Sequence, residues 1–131
     1  MTLSTPLLCL AAAIYFEAGN QPVDGKYAVG QVILNRVRSR HYPDTVCGVV
    51  KQRKQFSFYW DGKRETVKRN KLEQEQWEIS STVAYSLLYA VVPDRTGGAI
   101  FYHSTAVHPR WAAAMTLTYK IDSHLFYRGA K

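Results

Sequence analysis

The chain has 131 residues, 47% of them hydrophobic and 21% charged, and carries a formal net charge of +7. That length suits one domain with its own core, and the composition excludes disorder. No apolar run reaches the ~18 residues of a spanning helix, which excludes stable membrane insertion, while the positive charge calls for an anionic partner: nucleic acid, anionic lipid or an acidic polymer.

Ser4-Thr5-Pro6 opens the first helix: a hydroxyl that can accept from orphan N–H groups, then a proline where no N–H is needed. Leu7, Leu10, Ala11, Ile14 and Ala18 follow at helical spacing. The apolar stretch Leu7–Phe16 has no basic residue ahead of it and runs into Glu17, so it reads as folded structure and not as a signal peptide. Gly19-Asn20-Gln21-Pro22 ends the helix. A second starts near Asp24 and carries Tyr27, Ala28, Gln31, Val32, Asn35 and Arg36 to about Ser39, and Thr45 caps a short third helix through Val50.

Residues 51–71 change character, with eight of the 17 basic residues against only Asp61 and Glu65. Within them Phe56–Gly62 reads as an extended segment entering a turn. A long helix is expected from Leu72 to Val91, with Trp77 on its core side, ended by Pro93 and Gly97-Gly98. Ala99–His103 and Thr116–Ile121 read as strands, and Asp122-Ser123 as a turn into His124–Tyr127. The fold class is therefore α+β: one predominantly helical domain with a small antiparallel β element. Cys9 and Cys47 lie in apolar helical contexts without Cys-x-x-Cys spacing, so two buried free thiols are expected before a disulfide or a zinc site.

Glu17 is the first chemical candidate. A carboxyl beside Tyr15-Phe16 is desolvated, which favours the neutral form that a general acid must present. The bland reading is a solvent-facing Glu at a helix C-terminus, where the macrodipole disfavours a negative charge. The four histidines show no metal-ligand spacing, and neither a Gly-x-Ser-x-Gly elbow nor a phosphate loop is present, so no metal or cofactor is expected. Polar residues in apolar surroundings form a second set: Asn35 on its helix, Gln55 and Ser57 around Phe56, and Tyr102-His103 closing a strand. Amides and hydroxyls of this kind pair with sugar hydroxyls, and Trp60, Trp77 and Trp111 offer faces for a pyranose.

The blocks Leu10–Gly19 (LAAAIYFEAG), Gly25–Val37 (GKYAVGQVILNRV), Tyr42–Val50 (YPDTVCGVV), Gln55-Phe56-Ser57, Gly97–His103 (GGAIFYH) and Ile121–Tyr127 (IDSHLFY) together resemble the SleB-type cell-wall hydrolases, in family order and across nearly the whole chain. The resemblance implies a lysozyme-like or transglycosylase-like domain over residues 1–131 that cleaves the glycan strand of peptidoglycan. Its essential carboxylate falls on Glu17, and Asn35, Gln55, Phe56, Ser57, Tyr102, His103, His124 and Phe126 line or brace the groove. Where relatives often place another acid just after the catalytic Glu, this chain has Asn20.

Hydrolysis by two carboxyl groups needs a partner at about 5–5.5 Å for retention or 6.5–9.5 Å for inversion. Asp24 and Asp61 are nearest in sequence, and neither has a nucleophile's context. A single acid fits better: Glu17 protonates the bond between N-acetylmuramic acid and N-acetylglucosamine, the acetamido group steadies the cation, and the C6 hydroxyl closes a 1,6-anhydro ring. Water in place of that hydroxyl would make the enzyme a muramidase, and the sequence leaves both open. The basic, aromatic-interleaved segment 51–71 is also the composition of a single-stranded nucleic-acid-binding module. The resemblance puts that second: the expected partners are peptidoglycan glycan strands and an anionic wall surface met by residues 51–71, with no nucleic acid, and the chain is expected to be a monomer. A chain that starts at Met1 without an export signal suits an enzyme made in the cytoplasm, such as a phage lysis protein that reaches the wall after the membrane is breached.

Overall fold

The computed structural model describes residues 5–52 and 70–129. Among these, four α-helices come first: α1 (Pro6–Ala18), α2 (Val23–Val37), α3 (Val46–Lys51) and α4 (Lys71–Tyr89). Strand β1 (Phe101–Ser104), a short 3-10 helix (Arg110–Ala114), β2 (Thr116–Ile121) and β3 (His124–Arg128) complete the chain. The strands form one antiparallel sheet in the order β1-β3-β2. This is the expected helical α+β domain.

Helix α1 starts as its sequence dictates. Thr5 Oγ1 accepts from Leu8 N at 3.2 Å, and Pro6 occupies the first turn. Its residues Cys9–Ile14 are all at most 2% exposed, because α2, α3 and α4 all pack around it. A helix so enclosed is apolar on every side. Leu10, Ile14 and Ile33, each at most 1% exposed, anchor this core, each contributing about 1.5–3 kcal/mol by leaving water. The close approach of α1, α2 and α4 depends on Gly30. A Cβ there would meet Leu87 Cδ1 at 2.5 Å and Ile14 Cδ1 at 2.9 Å.

Thr45 caps α3 through Gly48 N at 3.0 Å. Asn70 caps α4 through Glu73 N at 2.8 Å while the two side chains also pair, a reciprocal cap. Helix α4 ends two residues before the expected Val91. Ala90 is already extended, and Pro93 keeps the residue before it out of the helical region.

The two cysteines correct the expectation of free thiols. Cys9 and Cys47 form a disulfide across 38 residues of sequence. Packing of α3 against α1 brings their Cα atoms to 5.3 Å, within bridging range. Helical periodicity could bury each cysteine but could not place the two helices side by side.

In the sheet, Tyr102 pairs with Phe126, and Ser104 with His124. Asp122, with φ of 50°, turns β2 into β3. An irregularity between Leu117 and Tyr119 resets β2, so that Tyr119 and Ile121 share the face of Phe126. That face covers a second core of Ala18, Ala28, Val29, Val32 and Ala99. The sheet therefore closes over the C-terminal end of α1, where Glu17 sits.

Candidate active site

Strand alternation decides which sheet side chains reach Glu17. Tyr102, His124 and Phe126 share the inner face. The Tyr102 hydroxyl donates a hydrogen bond to Glu17 Oε1. Its ring stacks on Phe126 at 5.4 Å and meets the edge of His124 at 5.5 Å. Phe126 is fully buried and touches Tyr119 at 5.8 Å, so the tyrosine rests on a fixed floor.

His124 Nδ1 is buried and has no hydrogen-bonding partner among the described residues. Burial lowers the pKa of its ring below the usual histidine value. The negative charges of Glu17 and Asp122 oppose that shift, and His103 adds to it. His124 thus presents a neutral ring close to a carboxyl group and a phenol.

Two further groups hold this cluster from behind. Asn35 Nδ2 donates to Asp94 Oδ2 at 3.0 Å and to Ala99 O at 2.9 Å, while its oxygen accepts from Gln31 Nε2 at 3.2 Å. Asp94 in turn accepts from Thr96 N, Thr96 Oγ1 and Gly98 N at 2.8, 2.6 and 2.9 Å. Burial alone would raise the Asp94 carboxyl's pKa, but bonds from Thr96, Asn35 and Gly98 outweigh it and hold the group below its ordinary value. Asn35 therefore braces the 94–99 turn that delivers β1, and with it Tyr102. Lys26, only 2% exposed, does the same for the end of α1. Its ammonium donates to Gly19 O at 3.2 Å and Gln21 O at 2.5 Å, and burial lowers its pKa.

Of the residues singled out in the sequence, Glu17, Tyr102, His124 and Phe126 come together, and Asn35 stands one layer behind. His103 lies on the outer face of β1. Its Nε2 meets Tyr127 Oη at 2.8 Å, its Nδ1 meets Ser104 O at 2.7 Å, and its ring stacks on Tyr127. Trp111 joins that outer cluster, 5.2 Å from Phe101, and Trp77 packs against Tyr15 in the helical core. Asp24, a candidate second carboxylate, is paired with Arg95 at 2.5 Å. Gln55, Phe56, Ser57, Trp60, Asp61 and most of the basic segment 51–71 lie outside the described residues.

Sequence reading missed Asp94, Thr96 and Lys26. The run Asp94-Arg95-Thr96-Gly97-Gly98 carried a usable signal, an acidic residue whose oxygens can close a turn over the following N–H groups. Nothing in the local sequence marks Lys26 as buried.

The chain is similar to the spore cortex-lytic enzymes of Bacillus cereus, 31% identical over 124 residues, and Bacillus subtilis, 34% identical over 120. Each alignment covers 89% of this chain, but only 42% and 35% of those proteins, so the chain spans less than half the length of these relatives. Among solved structures, it is similar to the catalytic domain of the germination-specific lytic transglycosylase SleB from Bacillus anthracis. That match has a TM-score of 0.72 and 27% identity, and it covers 94% of this chain and 93% of that domain. The Bacillus cereus SleB catalytic domain matches with a TM-score of 0.66. The sequence profile described as Cell Wall Hydrolase matches residues 20–127, and the chain belongs to that family.

Proposed function

We propose that this domain cleaves the β-1,4 bond between N-acetylmuramic acid and N-acetylglucosamine in peptidoglycan as a lytic transglycosylase. Glu17 serves first as general acid and then as base. The observation that carries this reading is the Tyr102 hydroxyl donating to Glu17 on a face built by the sheet and the end of α1. Such a donor is worth more once the carboxyl has lost its proton and carries charge.

Glu17 passes its proton to the glycosidic oxygen, and the C1–O bond breaks. The acetamido oxygen of the muramoyl residue closes on C1 as positive charge develops there. The Glu17 carboxylate then takes the C6 hydroxyl proton, and O6 displaces the acetamido oxygen to leave a 1,6-anhydro end. Asp24 is committed to Arg95, which favours one acid over two. The basic stretch 51–71 supplies long-range attraction to an anionic wall, and the outside of the cell membrane is the site of action.

Purified sacculi incubated with wild type and Glu17→Gln test the reading by mass spectrometry. The wild type should release products one water lighter than hydrolysis gives, and the variant none. Products carrying the extra water would make the enzyme a muramidase, and undiminished release by the variant would remove Glu17 from the reaction.

A further inference from the structure

Between the last turns of α1 and the first turns of α4 lies an open cleft of about 420 Å³, lined by Tyr15, Phe16, Asn20, Leu72, Glu73 and Gln76. It sits on a neighbouring face of the same helix end that carries Glu17. Phe16 directly precedes the carboxyl residue, and Asn20 follows it by one turn.

The lining is specific in its chemistry. The carbonyl oxygen of Gln76 is buried and accepts from no group among the described residues, an unfavourable state that a donor would relieve. Glu73, one turn earlier on α4, sets a carboxylate in the same cleft. Tyr15 stands close to that carboxylate. Burial first, and then the charge and hydrogen bonding of Glu73, raise the pKa of its phenol and keep it protonated. Phe16 and Leu72, 39% and 66% exposed, give apolar walls at the mouth. A carboxylate, an unmet amide oxygen and apolar walls suit a primary ammonium at the end of a short aliphatic stem. This is the opposite preference to the one the chain's net positive charge gives it overall.

We propose that this cleft holds the ammonium-bearing side chain of the short peptide that peptidoglycan carries on its muramic acid. The proposal rests on the reading of Glu17 as the acid that cuts that polymer, because the cut site then sets where the peptide begins. Three extended residues span about 10 Å, roughly the width of the helix that separates the two faces. A diamino acid at the third position of the peptide reaches the cleft while the sugar stays at Glu17. In the stem peptide that donates its amine to a cross-link that nitrogen is an amide and has lost its charge, so the cleft selects stem peptides whose side-chain amine is unlinked.

The test is calorimetric binding of the soluble stem tripeptide, with its side-chain amine free or acetylated, to the full chain. Wild type should bind the free-amine peptide at least tenfold more tightly than the acetylated one. Glu73→Gln keeps an oxygen for Asn70 and should abolish the difference, and Gln76→Met should weaken binding severalfold. If Glu73→Gln does not fold by circular dichroism, Gln76→Met carries the decision alone. Equal affinity of the wild type for both peptides, or no binding of either, overturns the proposal, as does unchanged discrimination in folded Glu73→Gln or unchanged affinity in Gln76→Met. Cleavage of peptide-free glycan strands, measured in parallel, separates the two readings. Cutting of those strands without peptide discrimination sinks the cleft alone, whereas a wild type that cuts no strand of either kind sinks both.

Discussion

Replacing Tyr102 with Phe removes one hydroxyl and little else. The ring keeps its stack on Phe126 at 5.4 Å and its edge contact with His124 at 5.5 Å. What disappears is the donor to Glu17 Oε1. A hydrogen bond to a charged partner contributes about 1.5–3 kcal/mol, which is roughly a tenfold to 150-fold change in rate. Because the carboxyl becomes charged only as its proton leaves, the loss should fall on kcat, with KM nearly unchanged. Initial rates of product release from soluble glycan strands, with thermal melting as the control for folding, measure it. Tyr102→Phe with wild-type kcat would refute the view that the phenol supports the developing charge. A matching rise in KM would instead make Tyr102 a substrate contact, and a large fall in Tm would make it structural.

Reducing the Cys9–Cys47 bond frees a 38-residue loop in the unfolded chain and should cost up to about 4 kcal/mol by the loop-entropy relation. Melting curves with and without reductant check this, and coincident curves would show that the bond adds no stability. His124 should titrate below the ordinary 6.5 in an NMR pH series. The unfolded chain then binds that proton at higher pH than the folded one, so stability contributed by the neutral ring is intact above 6.5 and falls as the pH drops below it. A midpoint at or above 6.5 would contradict the buried environment. Changing Lys63, Arg64, Lys68 and Arg69 to Gln should slow wall lysis more at low salt than at high salt, because screening already weakens the attraction at high salt. Equal slowing at both would assign those residues to folding.

Much of this fold is legible because local signals agree with one another. Thr5-Pro6 followed by an apolar run fixes α1, and the Asp122-Ser123 turn between two β-rich runs fixes the hairpin. Legibility fails wherever the answer depends on two distant segments meeting. The disulfide needed the α1–α3 packing, and the buried Lys26 needed the Gly19 and Gln21 carbonyls of the turn that follows α1. The unmet Gln76 oxygen needed the cleft between two helices. Within the site, Tyr102 and His103 are adjacent in sequence and looked equally eligible. Parity along the strand separates them, sending one ring to Glu17 and the other to Tyr127 on the far side. The bulge in β2 is a similar case, since one extra residue decides that Tyr119 meets Phe126 and no composition signal announces it.

The Cys9–Cys47 bond links the protein's mechanical state to its surroundings. Disulfides persist outside the cytoplasm and are reduced within it. The bond fastens α3 to the same helix that carries Glu17 at its other end. In a reducing compartment α1 is held by packing alone. In an oxidising compartment the link closes, and the chain becomes harder to unfold. A staple of this kind adds durability wherever the surroundings keep it oxidised.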